Sequence, residues 1–177
     1  KIPFKETHLL SQTAKDYLYE PEKLSQFIAG EPSQENFGKS IENRTEINRK
    51  VLVEELLKQN KNSHPASLTN IELLQNKNTF TVTTGHQICL FTGPLYSLYK
   101  IISTIKLTDK LKANFPEKNF VPVFWMATED HDFEEINHLF LGEEKLTWNS
   151  NQKGPVGRFS TEDMTDFLEE LNLANQS

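Results

Sequence analysis

The spacing of apolar positions changes along the chain, and each change marks an element. Phe80 to Thr84 is a short β-branched and aromatic run that stops at Gly85, the pattern of a strand. Pro94 then stands where a helix would begin, since its missing N–H is unpaired at that position anyway. Leu95, Leu98, Tyr99, Ile102 and Ile105 recur at helical spacing and give one apolar face. Phe120 to Met126 is a second apolar run, short enough for a buried strand. Two strands joined by such a helix predict a parallel, right-handed βαβ crossover.

The flanking segments follow other periods. Residues 1–76 read as mostly helical. Ser11 to Ile28 holds Tyr17, Leu18, Leu24, Phe27 and Ile28, with Pro21 opening a second short helix, and Gly30-Glu31-Pro32-Ser33 is a turn signal. A helix is expected over Lys39 to Gln59, with Ile41, Arg44, Ile47, Val51, Leu52 and Leu56 on one face. Another is expected over Ser67 to Gln75, burying Ile71 and Leu74. Beyond the second strand, Asn137 to Leu141 and Lys145 to Trp148 read as strands around a turn at Gly142 to Glu144. Ser160 to Asp163 fits a cap for a helix over Thr161 to Leu171. The expected organisation is a helical segment, 1–76, packed on an α/β part, 77–177. A doubly wound sheet needs more strands than these, so the sequence reads as the front of a longer protein.

Composition narrows the classes. The 177 residues are 36% hydrophobic and 25% charged, an ordinary globular profile. Mean hydropathy is -0.57, and no apolar run approaches a membrane span. Lys1-Ile2-Pro3-Phe4 leads into polar sequence without a secretory signal pattern. A single cysteine, Cys89, excludes an internal disulfide and points to a reducing compartment, the cytoplasm. The net charge of -6 disfavours nucleic-acid partners.

The candidate chemistry lies in two loops. In open α/β sheets, ligands collect beyond the carboxyl ends of the strands. Those ends carry Gly85-His86-Gln87 and Glu129-Asp130-His131-Asp132. Gly85 allows close backbone approach, His86 can carry a proton, and Gln87 both donates and accepts. Thr92-Gly93-Pro94 leads into a helix whose free N–H groups favour an anion near Thr92 to Tyr96. Lys100 lies too far into that helix to be assigned. The loop is neither a Walker motif nor G-x-G-x-x-G. Cys89, between Ile88 and Leu90, reads as a small buried thiol rather than a nucleophile.

Between Glu129 and His138 fall 5 acids and 2 histidines. The acids could hold a substrate ammonium while a histidine moves protons. Asp130, His131, Asp132, Glu134 and His138 could instead include a metal site, with Glu134 and His138 on one face of a helix. A solvated acidic turn is the remaining reading. The residues alone therefore leave three functions open: an enzyme, a small-molecule or nucleotide-binding module, and a metal-dependent hydrolase.

TTGHQICLFTGPLYSLYK, VPVFWMATEDHDFEEINH and GPVGRF, with KDYLYEPEKLSQF near the start, resemble the N-terminal part of the bacillithiol-biosynthesis cysteine ligases, the cysteine-adding enzymes. The resemblance implies a Rossmann-like, nucleotidyltransferase-like core and a longer parent chain with a coiled coil. It implies a ligase that joins cysteine to glucosaminyl-malate by an amide bond, the last step of bacillithiol synthesis. ATP with magnesium is the activator implied by analogy, and no structural metal is. Small molecules are the implied partners, without nucleic acid or membrane, for a homo-oligomer; the isolated chain is expected to be inactive. Carried over, Asp130, His131, Asp132 and His138 become candidate catalytic residues. Gly85, His86, Gln87, Phe91, Thr92, Gly93, Tyr96, Glu129 and Asn137 become candidate substrate- or nucleotide-binding residues. The family stretch often has two glutamines after the glycine, where this chain has His86 and Gln87.

Overall fold

The computed structural model describes residues 2–31, 33–42, 44 and 47–175, with the Thr92 side chain excepted. The chain divides into two compact units, 1–48 and 49–177. In the first, α1 (Gln12–Tyr19) starts at Ser11, whose hydroxyl accepts from the Ala14 N–H at 3.2 Å. Pro21 opens a single 3₁₀ turn, and Lys23 pairs with Glu20 and, at 3.8 Å, with Asp16. α2 (Gln34–Glu42) completes the unit. None of its described side chains is buried.

The second unit begins with α3 (Arg49–Gln59) and α4 (Pro65–Leu73). The single helix expected over Lys39 to Gln59 is thus two helices, α2 and α3. Arg44 is not helical; Asn43, Thr45 and Glu46 lie outside the described residues. The expected apolar face also shifts. Val53 is the buried residue of α3, while Val51, Leu52 and Ile47 are exposed. Val53 packs with Ile71, Leu74 and Val121, the last from the sheet. Arg49 ties the helix pair to the strand that follows, donating to the Leu74 carbonyl at 2.9 Å and the Thr79 carbonyl at 3.0 Å.

β1 (Thr79–His86), α5 (Leu95–Asn114) and β2 (Asn119–Met126) form the predicted crossover. β1 and β2 pair in parallel from Thr79–Asn119 to His86–Met126. α5 packs on both strands, but not with the stripe its periodicity suggests. Its buried residues are Ser97, Thr104, Thr108 and Leu111. Leu95, Leu98, Tyr99, Ile102 and Ile105 are all exposed. Short side chains let the helix sit close to the sheet, and the Thr108 hydroxyl satisfies itself on the Thr104 carbonyl at 2.8 Å.

After β2 come α6 (Phe133–Ile136), β3 (His138–Leu141), β4 (Glu144–Thr147) and α7 (Thr165–Ala174). β3 and β4 make an antiparallel hairpin, as expected for two strands read around a turn at Gly142. The helix expected from Thr161 begins as a 3₁₀ turn, Glu162–Met164, and becomes α-helical at Thr165; the Ser160 hydroxyl accepts from the Glu162 N–H at 3.3 Å. Leu146, Trp148, Met164 and Phe167 form the core of this part, with Phe133 and Phe159 set edge-to-face against Trp148.

Asp163 fastens this core. It accepts from the buried Trp148 indole at 3.0 Å, the Ser150 hydroxyl at 2.6 Å and the Gln152 amide at 3.2 Å. The Ser150 bond is the main cause of a carboxyl held below its ordinary pKa. A depressed pKa contributes stability above the unfolded value, near 3.9, that is lost as pH falls through the lower folded value. Asp163→Ala should lower the thermal midpoint by several degrees at pH 7, because the Trp148 N–H loses its acceptor. The gap to wild type should narrow as pH falls below ~4, because the charge component is lost while the protonated carboxyl still accepts from Trp148. Scanning calorimetry against pH checks both; an equal deficit at every pH rules out the charge component.

Candidate active site

The two loops beyond the parallel strands meet. The Gln87 amide, one residue past β1, donates to Asp130 Oδ2 at 2.8 Å. Asp130 Oδ1 accepts from the Asp132 N–H at 2.9 Å, which folds the acidic turn back on itself. These bonds, Gln87 first, hold the Asp130 carboxyl below its usual range, with a further contribution from the His131 charge. Asp130 is therefore an anion at neutral pH. The His131 imidazole is exposed beside it and takes no hydrogen bond among the described residues.

His86 is oriented by three neighbours. Nδ1 lies 3.2 Å from the Gln87 carbonyl and 3.4 Å from Cys89 Sγ; Nε2 lies 2.9 Å from the Tyr96 hydroxyl. A carbonyl can only accept, so Nδ1 carries the proton and Nε2 accepts from Tyr96. Gly85 is required by the close strand: a Cβ there would come 2.9 Å from the Trp125 carbonyl oxygen. Lys100, unassignable by position, reaches back to donate to the Gly85 carbonyl at 3.3 Å, its ammonium 5.5 Å from the Tyr96 ring centroid.

The Cys89–Pro94 loop is tightly wound. Phe91 takes a left-handed backbone, φ 47°, although it is not glycine, and Gly93 has φ 61°. A Cβ on Gly93 would lie 2.8 Å from Cys89 Sγ. Cys89 is half-buried and touches His86 rather than lying in an apolar core. Burial first, then the Glu135 charge, keeps its thiol above its ordinary pKa. It is therefore protonated and a poor nucleophile.

The remaining candidates are spread from the turn after β2, through the ends of α6, to β3. Asp132 caps α6, accepting from the Glu135 N–H at 3.3 Å. Glu129 receives the Trp125 indole at 3.4 Å. Asn137 Oδ1 lies 3.2 Å from His138 Nδ1. α6 ends at Ile136 and His138 starts β3, so Glu134 and His138 do not share a helical face as the metal reading requires. No group of three or more His, Cys, Asp or Glu among the described residues is arranged to hold a metal.

Sequence reasoning missed the support beneath the acidic loop. The Val156 N–H donates to the Asp130 carbonyl at 2.8 Å, and the Gly157 N–H to the Thr128 carbonyl at 3.0 Å. GPVGRF thus clamps the backbone that presents Asp130. Its glycines and proline marked it as a loop; only the compact motif hinted at more.

Comparison with known proteins bears on the family and the fold. The family model "Bacillithiol biosynthesis BshC, N-terminal Rossmann-like domain" matches residues 1–176. Relatives named "Putative cysteine ligase BshC" include one from Flavobacterium psychrophilum, 49% identical over 99% of this chain and 35% of its own length. One from Flavobacterium johnsoniae is 49% identical over 97% of this chain and 34% of its own. One from Bacillus cytotoxicus is 37% identical over 70% of this chain and 24% of its own. The chain spans about a third of the length of the Flavobacterium relatives. No described helix is long and apolar enough to cross a membrane. With a parallel βαβ crossover, two polar loops joined at its carboxyl edge and a match along nearly its whole length, the chain belongs to the BshC family of bacillithiol biosynthesis, in its N-terminal Rossmann-like domain.

Proposed function

We propose that the complete protein joins the carboxyl group of cysteine to the amine of glucosaminyl-malate, forming the amide that finishes bacillithiol. The observation that carries this reading is the 2.8 Å bond from Gln87 to Asp130, which unites the two strand-end loops in one polar site. Asp130, with its lowered pKa, is a weak base and a good anchor for the incoming ammonium. The exposed His131 imidazole beside it takes one proton to free the amine from its ammonium form; the second proton leaves to solvent as the amide closes and the activating group departs with its bonding electrons. Gln87 fixes Asp130, and Tyr96 fixes His86, on the other wall.

The start of α5 suits the phosphates of a nucleotide. The Leu95 and Tyr96 N–H groups of its first turn have no helical partner, Ser97 donating to the Pro94 carbonyl at 2.9 Å, and Lys100 brings a cation to the end of β1. ATP with magnesium, when bound, supplies the activation of the cysteine carboxylate. In this reading the enzyme works in the cytoplasm as a homo-oligomer on small molecules.

The test uses the full-length protein with glucosaminyl-malate and cysteine, with and without ATP and magnesium, read by mass spectrometry. Bacillithiol is expected only with ATP. Product without ATP would keep the ligase and overturn the activation step. No product from folded protein would leave a binding module.

A further inference from the structure

A cavity of about 440 Å³ opens between the Cys89–Pro94 loop and the Glu135–Phe140 segment. Its walls are mainly apolar, with Leu90, Leu95 and Leu139 among them. Among the described residues, the polar side chains on its lining are those of Cys89, Glu135 and His138, and neither Lys nor Arg lines it. An apolar pocket with a few convergent polar groups is the usual form of a small-ligand site.

Two of these groups are acceptors. Glu135 is an acceptor and has no ion-pair partner among the described residues. His138 Nδ1 faces the Asn137 carbonyl-type oxygen, so Nδ1 carries the proton and Nε2 keeps its lone pair. The cavity therefore offers acceptors and a negative charge. It favours a ligand with one ammonium group and a compact, apolar or soft remainder. Cys89 belongs both to this lining and to the contact with His86, so the cavity abuts the Gln87–Asp130 site.

We infer that this cavity is the amino-acid subsite, holding the ammonium of cysteine at Glu135 and its side chain against Leu90 and Leu139. The inference rests on the ligase reading for the identity of the two substrates. Between them the cavity selects cysteine. Glucosaminyl-malate also carries an amine, but it would bring two carboxylates beside Glu135 where no Lys or Arg of the lining offsets them, and more sugar hydroxyls than Glu135 and His138 can pair. The carboxyl of a cysteine seated here is left to face the joined loops, where activation and attack take place.

The test titrates full-length protein with L-cysteine and with 3-mercaptopropionate, the same molecule without its amine, in the presence and absence of ATP. Glu135→Gln should weaken L-cysteine about tenfold or more and leave 3-mercaptopropionate unchanged. Glu135→Asp should recover part of the loss. Leu139→Phe, which fills the cavity, should weaken both compounds. Wild-type affinity for L-cysteine in Glu135→Gln, or no L-cysteine binding to the wild type in either condition, overturns the inference. Product assays separate it from the ligase reading. If bacillithiol forms with an unchanged cysteine KM in Glu135→Gln, the subsite falls and the ligase stands. If no product forms but cysteine binding still depends on Glu135, the subsite stands and the ligase falls.

Discussion

Asp130→Asn in the full-length protein should lower kcat/KM about a hundredfold or more, with unchanged circular dichroism. The carboxylate accepts from Gln87 on one oxygen and from the Asp132 N–H on the other. An amide can satisfy only one of these with its oxygen, and its NH₂ then meets a second donor. It also removes the negative charge that holds an ammonium. Gln87→Ala should cost less, about tenfold, because it frees Asp130 without neutralising it. His131→Ala should lower kcat more than it raises KM, as expected of a proton acceptor that binds little. Full activity in both Asp130→Asn and His131→Ala would sink the site.

Gly157→Ala should be the most damaging small change outside the polar cluster. A Cβ at Gly157 would lie 2.6 Å from the Thr128 Cβ and 2.8 Å from the Thr128 oxygen, so backbone must move. The Gly157 N–H bond to that same oxygen, 3.0 Å, and the Val156 bond to the Asp130 carbonyl are then lost or stretched. Overpacking of this kind costs about 1–3 kcal/mol. Because the displaced backbone is the one that presents Asp130, activity should fall about tenfold even where the protein stays folded. Gly142→Ala is the control. Gly142 turns the β3–β4 hairpin at φ 63° with open space around it. Its substitution should cost about 1–2 kcal/mol of backbone strain and leave kcat/KM unchanged. Chemical denaturation with parallel activity assays reads both; an active, fully stable Gly157→Ala would show that GPVGRF is not a clamp.

Legibility followed the range of the interactions. The strand at Phe80 to Thr84, the helix after Pro94 and the hairpin around Gly142 were all readable, because period, proline and glycine act within a few residues. The helix expected over Lys39 to Gln59 failed for the opposite reason. Its apolar residues continue a helical period, but Arg49 is drawn to carbonyls at Leu74 and Thr79, 25 and 30 residues away. Val53 then becomes the buried position, where periodicity favoured Val51. The apolar stripe of α5 misled in the same way. Hydrophobicity says that a face seeks cover, not which neighbour covers it.

By itself the sequence determined that two short strands flank one long helix. Their parallel pairing follows from the length of that connection, and with it the gathering of Gly85 to Gln87 and Glu129 to Asp132 at one sheet edge. Only the tertiary structure decided that Gln87 grips Asp130, that Val156 and Gly157 clamp the acidic loop, and that Cys89, Glu135 and His138 share a cavity. Local propensity is set by a residue and its near neighbours; these contacts join segments tens of residues apart, and they exist only once packing has brought the backbones together.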